Sequence, residues 1–525
     1  MTISETNIAL VKALSKAKSK ANDNIVKSTD LDRDTRERLV SANYLIEVIK
    51  GWYILTMPSG AGTTTLWFSN YWAFIREYLN DRFKKNGYCI TAESSLEIYS
   101  GQNFIPDQLM VMTKRASNQT VKLKFGTSLL LYKDEKSFPK KFHIENGLNL
   151  FQLPEALASV APSYFRTKTL NLEISLKSLK SVADLSRVLL DGGLISAAER
   201  LTGAFSKLGE AKSAKQIIDD MASAGYLIKP TDPFKEKNLF LASRPRGTSP
   251  HAWRVEALWN TLRKDVIKHF PNPTKPTASK KTLAIIERLS KEDAYHSLSI
   301  EGYQVTEELI ERIKLGKYDP DKHQSDQEIR NALAAKGYLE AFKAVLSSIG
   351  KVLEKKQNPG YIFRDDLQKW YRQLFSPLVK AGLSRASDLA GYRDIPVYIN
   401  NSRHVPVPVS AVLDAMEILE NLLITEINAG VRAVLGHFLF AYIHPYSDGN
   451  GRIARFLMNF MLISGGFTWT VIKTSKRNEY LSALEEASTK HNIVPFTKFI
   501  ASEMDYWSKH MQQTIRSAKK NPKPI

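Results

Sequence analysis

At 525 residues, 43% of them hydrophobic, the chain is long enough to bury two or three cores rather than one. Its net charge of +20 divides evenly, +10 on residues 1–250 and +10 on the remainder, so the excess attracts polyanions without marking one module as their site. A single cysteine, Cys89, excludes an internal disulfide and a multi-cysteine zinc site. No apolar run of about 18 residues is present, so no membrane partner is expected. The N-terminus lacks the apolar stretch of a signal peptide, and a cytoplasmic location is the expectation.

In chain order, Asn7 to Ala21 predicts an amphipathic helix and Asn24 to Thr29 a short bridging element. Asp30 to Asn43 predicts a second helix with acidic residues in its first turn. Tyr44 to Leu55 alternates around Gly51 as a β wing does. Helix, helix, wing is the order of a winged helix-turn-helix over residues 1–60, with Arg33, Arg36 and Arg38 as candidate DNA-binding residues. These arginines interleave with Asp32, Asp34 and Glu37, a pattern that a solvated helix face also has. Residues 61–230 then read as α/β. An aromatic helix (Trp67 to Phe83) precedes strands at Leu109 to Met112, Val121 to Phe125 and Ser128 to Tyr132. Helices are predicted over Leu150 to Ala161, Leu176 to Leu190 and Leu194 to Phe205. This layout, with the Gly51-Trp-Tyr stretch, resembles the AbiEi-type antitoxins of bacterial toxin–antitoxin operons. The resemblance implies a winged-helix repressor region and duplex DNA as a partner.

Residues 231–250, rich in Pro, Ser and charge, predict a linker to a domain over 251–510. From Trp253 onward helical patterns dominate, interrupted by a loop at Asn272 to Thr277. Ser297-Leu-Ser-Ile-Glu301-Gly302 closes the helical stretch that Ser279 opens. Gly391 to Ile399 alternates, turns at Asn400 to Arg403 and returns through Val405 to Pro408, a hairpin in outline. The string His444-Pro-Tyr-Ser-Asp448-Gly-Asn-Gly-Arg452, with Arg455 three residues on, lies between the apolar runs Val434 to Ile443 and Ile453 to Ile463. It predicts a tight loop feeding a helix N-terminus, whose converging N–H groups and dipole suit a phosphate. Arg452 and Arg455 supply charge-assisted bonds, Asp448 a hard oxygen for Mg²⁺, and His444 a base near neutral pH. Residues 511–525 predict a frayed basic tail.

This string resembles the Fic-family signature HPFx(D/E)GNGRxxR, with Tyr446 where Phe is usual. The resemblance implies AMP transfer from ATP to a Ser, Thr or Tyr hydroxyl of a target protein. His444 would be the general base, with Asn450 and Arg452 also catalytic and Asp448 holding Mg²⁺. Gly449, Asn450, Gly451, Arg452 and Arg455 would bind the nucleotide. Tyr480, in Arg477-Asn-Glu-Tyr480, resembles a residue bordering the base, whereas His437 reads as a packed structural histidine. Lys in place of Gly451 marks the Doc-like kinases, so Gly451 favours nucleotidyl transfer. Ser297, Glu301 and Gly302 match the inhibitory signature (S/T)xxxE(G/N), whose glutamate is expected to pair with Arg455. The 391–408 hairpin resembles the target-docking flap, with Arg393, Val397 and Ile399 as docking residues.

The fold expected is multidomain: an N-terminal α/β region with a winged helix-turn-helix, then an all-α Fic domain with a small β-hairpin flap. Two alternatives remain open, a DNA-binding regulator with a vestigial site and a transferase using another nucleotide donor. Homo-oligomerisation also stays open.

Overall fold

A computed structural model describes residues 3–58, 63–84, 86–115, 118–234, 239, 249–273, 279–317 and 326–520. The linker and the loop expected at 231–250 and 272–277 lie largely outside these residues, as do residues 521–525. The chain forms two compact units, Met1–Pro250 with Tyr398–Val405, and His251–Val397 with Pro406–Ile525.

The first unit opens with a helix, Ile3–Lys20, a strand β1, Ile25–Lys27, and a second helix, Arg33–Ser41. The hairpin β2 (Leu45–Ile49) and β3 (Trp52–Leu55) follows, giving an antiparallel sheet of order β1-β3-β2. Ala13, Ala17, Leu31 and Leu39 from the helical side bury against Val26, Leu45 and Leu55. A second sheet has the order β6-β7-β5-β4-β9-β8, built from Tyr88–Ile90 (β4), Gln108–Thr113 (β5), Gln119–Lys122 (β6), Ser128–Lys133 (β7), His143–Glu145 (β8) and Leu148–Leu150 (β9). Helix Thr64–Phe83 lays Trp67, Tyr71, Phe74 and Tyr78 into the same core as Val111, Leu129 and Leu131. Aromatic spacing along one face thus becomes a sheet-covering surface.

Three expectations change. The predicted helix Leu176 to Leu190 is two helices, Thr169–Ser178 and Val182–Asp191, because Leu179 turns extended at ψ 114°. The predicted strand Val121 to Phe125 stops at Lys122, since Phe125 adopts φ +50°. The predicted hairpin at 391–408 contains no strand among the described residues. Its middle pairs elsewhere within the first unit. The Ile105 N–H donates to the Arg403 carbonyl (2.9 Å) and the Val405 N–H to the Asn103 carbonyl (2.8 Å). Backbone groups satisfied there have no need of a self-paired ladder.

The second unit is helical. Two nearly fully buried helices, Ala429–Ile443 and Asn450–Ser464, form its centre, as apolar residues on every face require. Asn428 caps the first by accepting from the Val431 N–H (3.0 Å), a contact worth about 1 kcal/mol. The long pair Asp326–Lys355 and Pro359–Lys380 covers the centre, and Val409–Thr425, Arg477–Lys490 and Val494–Lys520 complete it. That last helix extends through the beginning of the expected frayed tail. Helix Ser290–Ile300 ends at Glu301, followed by Gly302 at φ +90°.

Candidate active site

The motif loop occupies the corner between the two central helices. His444 ends the first helix in the left-handed conformation, φ +55° and ψ 59°, which strains a residue carrying a Cβ. Gly449, at φ +82°, begins the second helix. A side chain there would also strike the Phe375 ring, 2.6 Å from an ideal Cβ. Asn450 shapes the loop from inside, accepting from the Tyr446 N–H (2.9 Å) and donating to the Tyr446 carbonyl (2.7 Å). Tyr446 keeps the aromatic role expected of it, stacked on Tyr371 at a centroid distance of 3.7 Å. The first-turn N–H groups after Gly449 have no acceptors within the helix and face outward at its positive end.

Two arginines bracket this cradle. Arg452 is 0% exposed, donates to Asp448 Oδ1 (3.0 Å), and lies between the Tyr303 and Phe375 rings. Among the described residues its Nε and Nη1 have no hydrogen-bond partner. Burying guanidinium donors without acceptors is costly, so this arrangement suits an anion arriving from outside. Burial opposes the Arg452 charge, but Asp448, Tyr303 and Glu301 together outweigh it and raise the pKa. Asp448 is likewise opposed by burial, yet Arg452 holds its carboxyl below the usual range. Both of its hydrogen bonds, to the Gly449 N–H and to Arg452, use Oδ1. Oδ2 is left as an oxygen that could ligate Mg²⁺ shared with phosphates. Among the described residues no cluster of three metal-ligating side chains exists, so such an ion would depend on the phosphates for further ligands.

Arg455, 4% exposed, donates through Nε to Ser297 Oγ (2.9 Å) and through Nη2 to the Ser297 carbonyl (3.1 Å) and Glu301 Oε1 (2.6 Å). Burial works against this cation, and Glu301, Tyr480 and Tyr338 together more than offset it, raising the pKa. Glu301 lies directly over Gly451, where an ideal Cβ would come within 2.2 Å of Oε1. The missing side chain at 451 is therefore filled by the carboxylate of another helix. Sequence spacing brought Ser297, Glu301 and Arg455 into consideration, and folding joins them across more than 150 positions.

His444 Nδ1 lies 3.1 Å from the Ala441 carbonyl, which assigns the proton to Nδ1 and leaves Nε2 as the basic nitrogen. Burial lowers its pKa and favours the neutral imidazole. His437 is 0% exposed, with Nε2 at 2.8 Å from the Tyr480 hydroxyl. Tyr480 itself is 2% exposed and packs on His437, Phe496 and Phe499, so its ring face is not open for stacking on a purine. Val397 is half-buried, as is Ile399 in the first unit. Arg393 departs further from its expected docking role. It is 5% exposed and turns inward to backbone carbonyls.

Several neighbours of helix Ser290–Ile300 were not singled out by sequence. Tyr338 donates to the buried Asp293 (2.8 Å), Arg477 Nε donates to the Ile300 carbonyl (2.8 Å), and His296 Nδ1 receives the Thr474 N–H (3.2 Å). The spacing of Asp293, Ser297 and Glu301, four and four, was the available signal, since it puts all three along one helix face.

Residues 361–462 match the model of the Fic/DOC family. That stretch of the chain is similar to the Fic/DOC family. A protein adenylyltransferase Fic from Nematostella vectensis is 31% identical over 212 residues, covering 39% of this chain and 45% of that protein. Its namesake from Aedes aegypti is 41% identical over 69 residues, 13% of this chain and 14% of the relative. The chain thus spans less than half the length of these curated relatives. Among solved structures, a portion of Fic-1 from C. elegans aligns at 17% identity with a TM-score of 0.36, covering 70% of this chain and 92% of that one.

Proposed function

We propose that the Fic domain is a protein adenylyltransferase that moves AMP from ATP to a target hydroxyl and is held inactive by Glu301. The observation that carries this reading is the Glu301–Arg455 pair seated over Gly451, beside the unfilled donors of Arg452. The hydroxyl oxygen would attack the α-phosphorus, its proton would pass to His444 Nε2, and the bond to the bridging oxygen would break to release pyrophosphate. The cradle N–H groups, Arg452 and Arg455 would stabilise phosphate charge, so most of the rate would come from positioning and electrostatics. Mg²⁺, held by Asp448, would neutralise part of that charge. While Glu301 pairs with Arg455 it takes the charge and the space a triphosphate needs. Incubating the wild type, Glu301→Gly and Glu301→Gly/His444→Ala chains with α-labelled ATP and Mg²⁺ tests this. Label should appear on Glu301→Gly above both others. Equal labelling of wild type and Glu301→Gly, with both above the double variant, would remove Glu301 from the scheme.

A second reading concerns residues 3–55, whose helix–strand–helix–hairpin order favours duplex DNA as a partner. Arg33 is exposed and paired with Glu37 (2.7 Å), and Arg36 donates to the Ser28 carbonyl (3.1 Å). Contacts to phosphate would have to replace or extend these bonds. A mobility shift with duplex DNA at two salt concentrations tests it, and no shift at low salt would turn this region toward protein partners.

A further inference from the structure

Arg393 is the one flap residue expected at the docking surface that the fold turns inward. Its guanidinium meets only backbone oxygens: Nε donates to the His444 carbonyl (2.8 Å), Nη1 to the Ile395 carbonyl (3.2 Å) and Nη2 to the Val407 carbonyl. Its own N–H donates to the Pro445 carbonyl (2.9 Å). No carboxylate forms an ion pair with it among the described residues, and burial pulls its pKa down to about 10. A buried cation bound to carbonyls alone is an expensive way to hold a loop, and an apolar residue would fill the volume at lower cost. What the guanidinium adds is geometry, since one rigid planar fork fixes three separate points.

Those points matter. Ile395 and Val407 lie before and after the turn of the expected flap, and His444 carries the candidate base in a strained left-handed conformation. Such strain persists only where the surroundings over-determine it, and here bonds to the carbonyls of both His444 and Pro445 do so. We infer that Arg393 is a positioning residue that holds the His444 imidazole in place for the incoming hydroxyl. This rests on the transferase reading above. Arg393 touches neither the cradle nor Arg455, so its effect falls on the hydroxyl side of the reaction and leaves nucleotide binding alone.

The test uses the full-length Glu301→Gly chain as parent, with Arg393→Gln and Arg393→Lys added separately. Labelling from α-labelled ATP is followed over a range of ATP concentrations, nucleotide affinity is measured by ATP titration calorimetry, and folding is checked by thermal melting. Misplacing a reacting group by about 1 Å costs roughly up to a hundredfold. Arg393→Gln should therefore lose about tenfold or more in rate at saturating ATP, with ATP affinity unchanged within about twofold. Arg393→Lys should recover part of the rate, because it keeps the charge and one donor centre. If Arg393→Gln melts out, a folded Arg393→Lys with reduced rate and unchanged ATP affinity carries the inference instead. A rate within twofold of the parent overturns it. So does a parallel loss of rate and ATP affinity in both variants, the mark of a general fold support. A parent that labels no more than Glu301→Gly/His444→Ala brings down the transferase reading itself, and this inference with it.

Discussion

Two regions of this chain present arginines at close spacing on a helix, and they differ in what surrounds the charge. On helix Arg33–Ser41, Arg33 has 79% of its side chain in solvent and pairs with Glu37 one turn away. On helix Asn450–Ser464, Arg452 and Arg455 are 0% and 4% exposed. A solvated ion pair of the first kind contributes little, because water competes for both partners. The second kind is tolerated only where geometry and opposite charge offset desolvation. Arg455 has Ser297 and Glu301 for that purpose, whereas Arg452 keeps two donors without acceptors among the described residues. Burial with an unmet donor points to a ligand; a charged pattern in solvent does not.

The comparison can be broken most severely at His444. In the Glu301→Gly background, His444→Ala should cut labelling by about 10²–10⁴-fold, the usual range for a general base, with ATP affinity retained. A variant with the parent's turnover would make His444 merely a helix end. Arg452→Lys is next. A lysine cannot offer the planar fork that is pinned between Tyr303 and Phe375, and a loss of about tenfold or more in productive ATP use is expected. Parental kcat/KM in that variant would mean the open donors of Arg452 play no part. Glu301→Gly should then raise wild-type labelling by about tenfold, which requires the Glu301–Arg455 contact to supply only ~1.4 kcal/mol.

The solvated arginines set the weaker end of the comparison. Replacing Arg33, Arg36 and Arg38 together by Ala should flatten the log–log salt dependence of duplex binding by up to about 2.7, at about 0.9 per lost phosphate contact. An unchanged slope would leave these residues as a solvated face. The smallest effect concerns stability. Burial pushes the Asp293 carboxyl up to about 6, above its unfolded value. A raised carboxylate pKa means the folded chain binds that proton more tightly, so the group is harmless below the unfolded pKa. Its cost then grows as pH rises toward 6, reaching on the order of 2–3 kcal/mol. Asp293→Asn should remove this slope between pH 4 and 6 in chemical-denaturation curves, and a slope equal to that of the wild type would assign it elsewhere.

Much of the site was legible before any fold. The order His444, Asp448, Gly449, Asn450, Gly451, Arg452, Arg455 carries its chemistry in short spacing, because loop and helix turn bring near neighbours together. The outline of helices 3–20 and 33–41 and of the hairpin at Gly51 was equally readable from local periodicity. Three-residue strands such as β4, β8 and β9 were not, since so few residues cannot establish an alternation.

The tertiary structure decided everything that depends on distant partners. Nothing local shows that the space above Gly451 is filled by Glu301, or that Tyr480 faces His437 rather than a cleft. The alternating residues at 391–408 suggested a hairpin, yet the Arg403 carbonyl and the Val405 N–H are satisfied at Ile105 and Asn103. Arg393 shows the limit most clearly. Its charge and position were visible in the chain, but its direction was set by which carbonyls remained unpaired once the helices had packed, a condition written in no single stretch of sequence.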